Sequence, residues 1–152
     1  MKLKSQILNI KTGSNFRVIE PVNIYEAIFG DDVFVGPFTE IQKNVKVGNN
    51  CKIQSHCFLC EGVSIKDNCF ISHGVMFVND KFKDGKPANR NKKKWQKTRI
   101  DNNVYIGTNS TILPVKICSN VVIGAGSVVT KDIKIPGKYV GNPAKLLKKN
   151  NA

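Results

Sequence analysis

Counting in sixes from Phe29 meets Phe29, Val35, Ile41, Val47, Ile53, Leu59, Ile65, Ile71 and Phe77 without one polar residue. A single strand repeats every two residues and a helix every 3.6, so a period of six implies something else: short strands separated by turns. Four places after each member stand Val33, Thr39, Val45, Cys51, Cys57, Val63, Cys69 and Val75, all small or β-branched. Two positions in each six are therefore fitted to an interior, and the β-branched ones favour strands. The pattern predicts a coil of parallel strands in which like positions stack on successive rungs. Three hexads close one triangular turn of about 18 residues, whose thin core becomes stable only by stacking on its neighbours.

Tight corners fall at Gly36, Gly48, Asn49, Asn50, Gly62 and Asn68, residue types that accept positive φ at low cost. The period stops after Phe77. It resumes at Ile100, Ile106 and Ile112, slips by one residue around Pro114, and continues at Ile117, Ile123, Val129 and Ile135. The expected organisation is one domain over residues 1–152, with coils over about 24–77 and 100–137 and an inserted basic loop over 78–99. Residues before about Glu20 do not fit the repeat and read as an edge strand or cap. Asn142-Pro143 opens a segment that reads as a short helix over 142–150.

The formal charge of +13 allows two readings, solubility alone or a polyanionic ligand. Nucleic acid would satisfy that charge, yet no recognition helix, zinc-finger spacing or aromatic RNA-binding motif accompanies it, so none is expected as a partner. A phosphorylated cofactor or nucleotide-linked substrate stays open. No stretch approaches the roughly 18 apolar residues of a membrane span, and the opening residues do not resemble a secretory signal, so a cytoplasmic protein is expected. Five cysteines make an odd count that fits reduced thiols better than a disulfide framework. In the pair Cys57 and Cys60, Cys57 takes an inward position while Cys60 follows inward Leu59. The two should point to different sides, so no metal is expected.

Two later passages, Ile106-Gly107-Thr108-Asn109-Ser110-Thr111-Ile112-Leu113-Pro114 and Val122-Ile123-Gly124-Ala125-Gly126-Ser127-Val128-Val129-Thr130-Lys131-Asp132, together with the ending Val140-Gly141-Asn142-Pro143-Ala144-Lys145, resemble the hexapeptide-repeat acyltransferases. The resemblance covers about residues 24–149. It implies an all-β fold: a left-handed parallel β-helix of hexapeptide repeats with one inserted loop and a short C-terminal helix. Upstream, Ile53-Gln54-Ser55-His56-Cys57-Phe58 and Phe77-Val78-Asn79-Asp80 before the basic insertion look most like the sugar-nucleotide N-acetyltransferases. This implies an acetyl-CoA-dependent enzyme that acetylates the amino group of a nucleotide-linked amino-deoxysugar. It also implies a homotrimer with acetyl-CoA in the groove between two β-helices. The chain departs from that pattern at Val78, where Thr is common, and at Lys81-Phe82-Lys83, where an aromatic-proline pair is common.

Amine acetylation needs a neutral amine, an acceptor for its proton, and donors for the oxyanion. The chain has only two histidines, His56 and His73. On an 18-residue coil they project near one edge on adjacent rungs, and neither lies on the inward phase. Both are candidate catalytic residues. Asn79, at the mouth of the insertion, is a turn residue or, by resemblance, the group orienting the amine or acetyl oxygen. Asp80 and Glu61 are candidate substrate-binding residues. For the cofactor, the resemblance points to Gly107, Gly124 and Ala125 at the pantetheine arm, to Lys131, Lys145 and Lys148 at the phosphates, and to Trp95 where a neighbouring subunit's loop closes the groove. Competing readings are O-acetylation of a sugar or small alcohol on the same scaffold, and a catalytically silent repeat protein.

Overall fold

The computed structural model describes residues 5–89 and 91–147. In it the hexads become the three sides of a triangular prism. The first sheet has seven strands: Gln6–Leu8, Asn23–Tyr25, Glu40–Ile41, Phe58–Leu59, Met76–Phe77, Thr111–Ile112 and Val128–Val129. The second has six: Lys11–Thr12, Ile28–Phe29, Lys46–Val47, Val63–Ile65, Thr98–Ile100 and Lys116–Ile117. The third has eight: Arg17–Val18, Phe34–Val35, Lys52–Ile53, Phe70–Ile71, Val104–Ile106, Val121–Ile123, Gly137–Val140 and Lys145–Leu146. All pairings are parallel except the last. Most strands are too short to persist alone, and each is held by the rungs on either side, as in Glu40 N–H to Cys57 O at 2.9 Å and Phe58 N–H to Val75 O at 3.0 Å. Among the described residues, no helix is long and apolar enough to cross a membrane.

Like residues stack down the prism. Ile41, Leu59 and Phe77 line the first sheet, Val47, Ile65 and Ile100 the second, and Val35, Ile53, Ile71 and Ile106 the third, all buried. The small phase from Val33 to Val75 is buried as well, packing where the chain turns. Burying each large aliphatic side chain stabilises the coil by roughly 1.5–3 kcal/mol.

Each rung has three corners: the first joins the first sheet to the second, the second joins the second to the third, and the third returns to the first. The second corner is an Asn/Asp ladder. Asn15, Asp32, Asn50, Asn68, Asn103 and Asn120 all take positive φ there, and their side chains bridge rungs, as in Asn50 Nδ2 to Asn68 Oδ1 at 2.8 Å. These side chains tolerate the left-handed conformation and bond locally. The third corner places Phe38, His56, Gly74, Asn109 and Gly126 at that position instead. Phe38 and His56, whose side chains are poorly suited to a structural ladder, mark this corner as different.

Four expectations need correction. Residues 6–18, expected as an edge strand or cap outside the repeat, form one more rung with a strand in each sheet. Ile135 is 61% exposed, and the inward residue is Ile133, 6% exposed and bridged to Ile117. This rung is shorter than those before it, so extrapolating the period overshoots. No helix forms over the described part of 142–150, with residues 148–150 lying outside the described residues. Instead Lys145–Leu146 adds antiparallel to the open edge of Gly137–Val140, and Ala144 N–H and Leu147 N–H donate to Val128 O and Lys138 O. Those amides are spent on the sheet and cannot make helical bonds. Lastly, Cys60 is as buried as Cys57, because the strand ends at Leu59 and its alternation with it.

The insertion is slightly shorter than expected. Val78 N–H still bonds to the next rung at Ile112 O, and Thr98 already pairs with Val63, so the excursion runs over 79–97. It leaves and re-enters at the first corner.

Candidate active site

The structure separates the expected site residues into two groups at opposite ends of the first sheet. His56 and His73 share the third corner. His73 Nδ1 lies 2.8 Å from Ser55 Oγ on the preceding rung, 18 residues back. In the tautomer that donates Nδ1–H to that hydroxyl, Nε2 carries the lone pair and can accept a proton. The His56 ring packs on Phe38 with centroids 4.9 Å apart, and the His56 backbone N–H donates to Pro37 O. Both histidines are exposed. Ser55 was not among the residues singled out from the sequence. The signal was available, since 55 and 73 differ by one coil.

The same corner continues upward through Gly107, Thr108, Gly124 and Ala125. Packing requires glycine at 107, where a Cβ would lie 2.5 Å from Ala125 N, whereas one on Gly124 would meet the exposed Val140 side chain, at 2.7 Å from Cγ1. The backbone N–H groups of Thr108 and Ala125 make no hydrogen bond among the described residues and sit on exposed turns. They would suit carbonyl groups of an extended arm laid along the corner. Lys145 is exposed near this end, Lys131 is exposed at the first corner, between Val129 and Ile133, and Lys148 lies outside the described residues.

At the first corner Glu61 is a hub. Its carboxylate accepts from Lys92 Nζ at 3.0 and 3.1 Å and from Asn44 Nδ2 at 3.1 Å, while its N–H donates to Gln42 Oε1 at 3.1 Å. The ion pair with Glu61 raises the Lys92 pKa above its ordinary value. Asn79 Nδ2 donates to Glu61 O at 3.2 Å, and Asn79 O accepts from Gln96 N–H, clamping both ends of the loop. Asn79 Oδ1 makes no hydrogen bond among the described residues. Asp80 closes the loop on itself, accepting from Phe82 N–H at 3.0 Å and Ala88 N–H at 2.7 Å. Half-buried Trp95 carries the Lys92 ammonium 5.9 Å from its ring centre.

The side chains of Cys57 and Cys60 are buried rather than presented at the site, although Cys57 Sγ–H donates to Ser72 O at 3.0 Å beside the histidines and Cys60 directly precedes Glu61. Burial pushes the thiols of Cys57 and Cys60 up to about 11 and about 12. A hydrogen bond with Cys51, reinforced by burial, raises Cys69. At neutral pH these are protonated thiols and poor nucleophiles. Among the described residues, no cluster of three His, Cys, Asp or Glu could hold a metal.

Residues 26–61 match the family model "Bacterial transferase hexapeptide (six repeats)", and residues 97–131 match "Hexapeptide repeat of succinyl-transferase". The bifunctional protein GlmU of Wigglesworthia glossinidia brevipalpis is 33% identical over 164 residues, covering 99% of the chain and 34% of GlmU. The chain thus spans about a third of the length of the curated relatives it matches. A mutant of AntD, an N-acyltransferase from Bacillus cereus solved with dTDP and coenzyme A, superposes with a TM-score of 0.80 at 25% identity, over 91% of this chain and 83% of that one. A maltose O-acetyltransferase from Clostridium difficile 630 does so with a TM-score of 0.58 at 27% identity, over 95% and 69%. With these matches and the prism of hexads, the chain belongs to the hexapeptide-repeat acyltransferases.

Proposed function

We propose that the protein is an acetyl-CoA-dependent N-acetyltransferase acting on the amino group of a nucleotide-linked amino-deoxysugar. The observation that carries this reading is the exposed histidine pair at the third corner, in a chain similar over 91% of its length to an N-acyltransferase solved with dTDP and coenzyme A. Acetyl-CoA supplies the acyl group. The neutral amine attacks the thioester carbonyl, a C–N bond forms and the C–S bond breaks. His73, held by Ser55, takes the amine's proton and returns it to the departing thiolate, and His56 lines the approach. Such base catalysis contributes roughly 10² to 10⁴ in rate. The free amides of Thr108 and Ala125, beside Gly107 and Gly124, receive the pantetheine arm, Lys145 faces the cofactor's phosphates, and Lys131, at the first corner, faces them from the neighbouring chain.

Asn79, Glu61, Asp80 and Trp95 lie too far around the prism to serve the same chain's histidines. In this reading a homotrimer joins the third corner of one chain to the first corner of the next, so Asn79 Oδ1 orients an amine bound at the neighbour's histidines. Incubation with acetyl-CoA and a panel of amino-sugar nucleotides, following thiol release, tests the proposal. Release that depends on the amine supports it; release with hydroxyl acceptors alone would establish the O-acetyltransferase reading, which the likeness to the maltose enzyme favours. A stable monomer in light scattering would refute the shared site.

A further inference from the structure

The outward residues of the second sheet, read up the prism in register, are Lys11, Ile28, Lys46, Ser64, Arg99 and Lys116. Four are cationic and none is acidic. The first sheet, by contrast, presents Asn23, Glu40, Phe58, Met76, Thr111 and Val128, with no cation. The third sheet carries three more, Arg17, Lys52 and Lys138, but spaced by Phe34, Phe70, Tyr105 and Val122, so the densest run of cations lies on the second sheet.

The cationic face is also concave. Beside the first corner lies a groove of about 570 Å³ lined by Asn44, Lys46, Glu61, Ser64, Lys97 and Arg99. A smaller hollow of about 240 Å³ shares Ser64 and Arg99 and extends to Lys116. The two carboxylates here are already engaged: Glu61 with Lys92, and Asp101 with Lys66 at 2.7 Å. Lys46, Lys97, Arg99 and Lys116 form no ion pair among the described residues. The groove therefore carries uncompensated positive charge, with the Ser64 hydroxyl and the Asn44 amide beside it.

We infer that this groove binds the diphosphate of a nucleotide-linked ligand; as an assignment to the acceptor substrate, it rests on the function proposed above. Rungs repeat every 4.7–4.9 Å, so Lys46 and Arg99 flank Ser64 from the rungs on either side and bracket adjacent anionic groups. Arg99 offers a fork suited to phosphate oxygens, and Lys97 a point charge next to it. The size is that of a small-molecule site. The run is also bounded: Ile28 interrupts it below, and above it the Asp132 carboxylate lies against Lys116 N–H at 2.8 Å. A short dianion fits this stretch better than a long polymer. The groove opens beside Glu61 and the root of the inserted loop, so a diphosphate held here would direct the attached sugar toward the first corner.

Coenzyme A also contains a diphosphate, and the test separates the two sources. Calorimetry with UDP and dTDP on one side and coenzyme A on the other needs no turnover. Wild-type protein should bind at least one nucleoside diphosphate, more weakly as salt rises. Arg99→Gln and Lys97→Gln should each weaken that binding about tenfold or more, with coenzyme A affinity and melting temperature unchanged. Lys138→Gln on the third sheet should bind as wild type. Absence of nucleoside diphosphate binding by the wild type, or equal binding by the Arg99 and Lys97 variants, would overturn the inference. Loss of coenzyme A affinity instead would reassign the groove to the donor and overturn it as stated. Failure of the transfer assay with binding still mapped to Arg99 would refute only the proposed reaction.

Discussion

Gly107 and Gly126 lie on adjacent rungs at the third corner, and replacing each with alanine isolates two different costs. Gly107 has ordinary φ, so alanine suits its backbone, but the added Cβ would meet Ala125 N at 2.5 Å and Gly124 C and Ile123 O at 2.8 Å. Relieving these contacts to an ordinary carbon separation of about 3.5 Å requires the rungs to part by nearly 1 Å. The hydrogen bond from Gly107 N–H to Ile123 O, now 2.8 Å, would stretch beyond useful length. Overpacking costs about 1–3 kcal/mol and a weakened backbone bond about 1 kcal/mol, giving roughly 3 kcal/mol for Gly107→Ala. Gly126 has φ +67 and nothing within 4 Å of its added Cβ, so Gly126→Ala should cost only the left-handed conformation, about 1–2 kcal/mol. Urea unfolding of both variants measures the difference. If Gly107→Ala proves no more destabilising than Gly126→Ala, the close interlocking of rungs is not what demands glycine at this corner.

Ile71 and Ile135 both fit the sixfold count, but Ile71→Ala should cost about 2–5 kcal/mol and Ile135→Ala less than about 0.5, in the same unfolding assay. Equal effects would contradict the burial difference. His73→Ala should lower kcat by roughly 10² to 10⁴ with acetyl-CoA affinity unchanged, and Ser55→Ala by about threefold to tenfold with a displaced pH profile; full turnover in the His73 variant would remove the proposed base. Cys57→Ala and Cys60→Ala should remain active. A stoichiometric acetyl group on either thiol after acetyl-CoA alone would refute direct transfer. The raised thiols also set a pH dependence. Below the ordinary thiol value of 9.0 both states are protonated and nothing changes; between 9 and about 11 only the unfolded chain ionises, so stability falls as pH rises. At pH 10 the loss is about 1.4 kcal/mol per thiol, and Cys57→Ala should lose that much less than wild type between pH 8 and 10 in urea midpoints.

The prism was legible in the sequence because a period of six acts through local rules. From Phe29 to Phe77 each inward residue is large and apolar, each small partner packs where the chain turns, and asparagines sit where positive φ is needed. Stacking then follows, because no rung can bury its core alone. The two histidines at one edge and the insertion at another followed from the same arithmetic. What the count could not supply is set by contacts between distant residues. Ile133 rather than Ile135 turns inward because it bridges Ile117. Residues 145–146 pair with an open strand edge, which outweighs a weak helical preference. Cys60 is buried because the chain turns as it leaves the strand. Only the tertiary structure places Asn79 and Glu61 around the prism from His56 and His73, since which corner a residue reaches depends on where each short strand ends. Only there, too, do Lys46, Lys97 and Arg99, far apart along the chain, line one groove: parallel register sets outward positions of successive rungs a few ångströms apart, whatever length of chain lies between them.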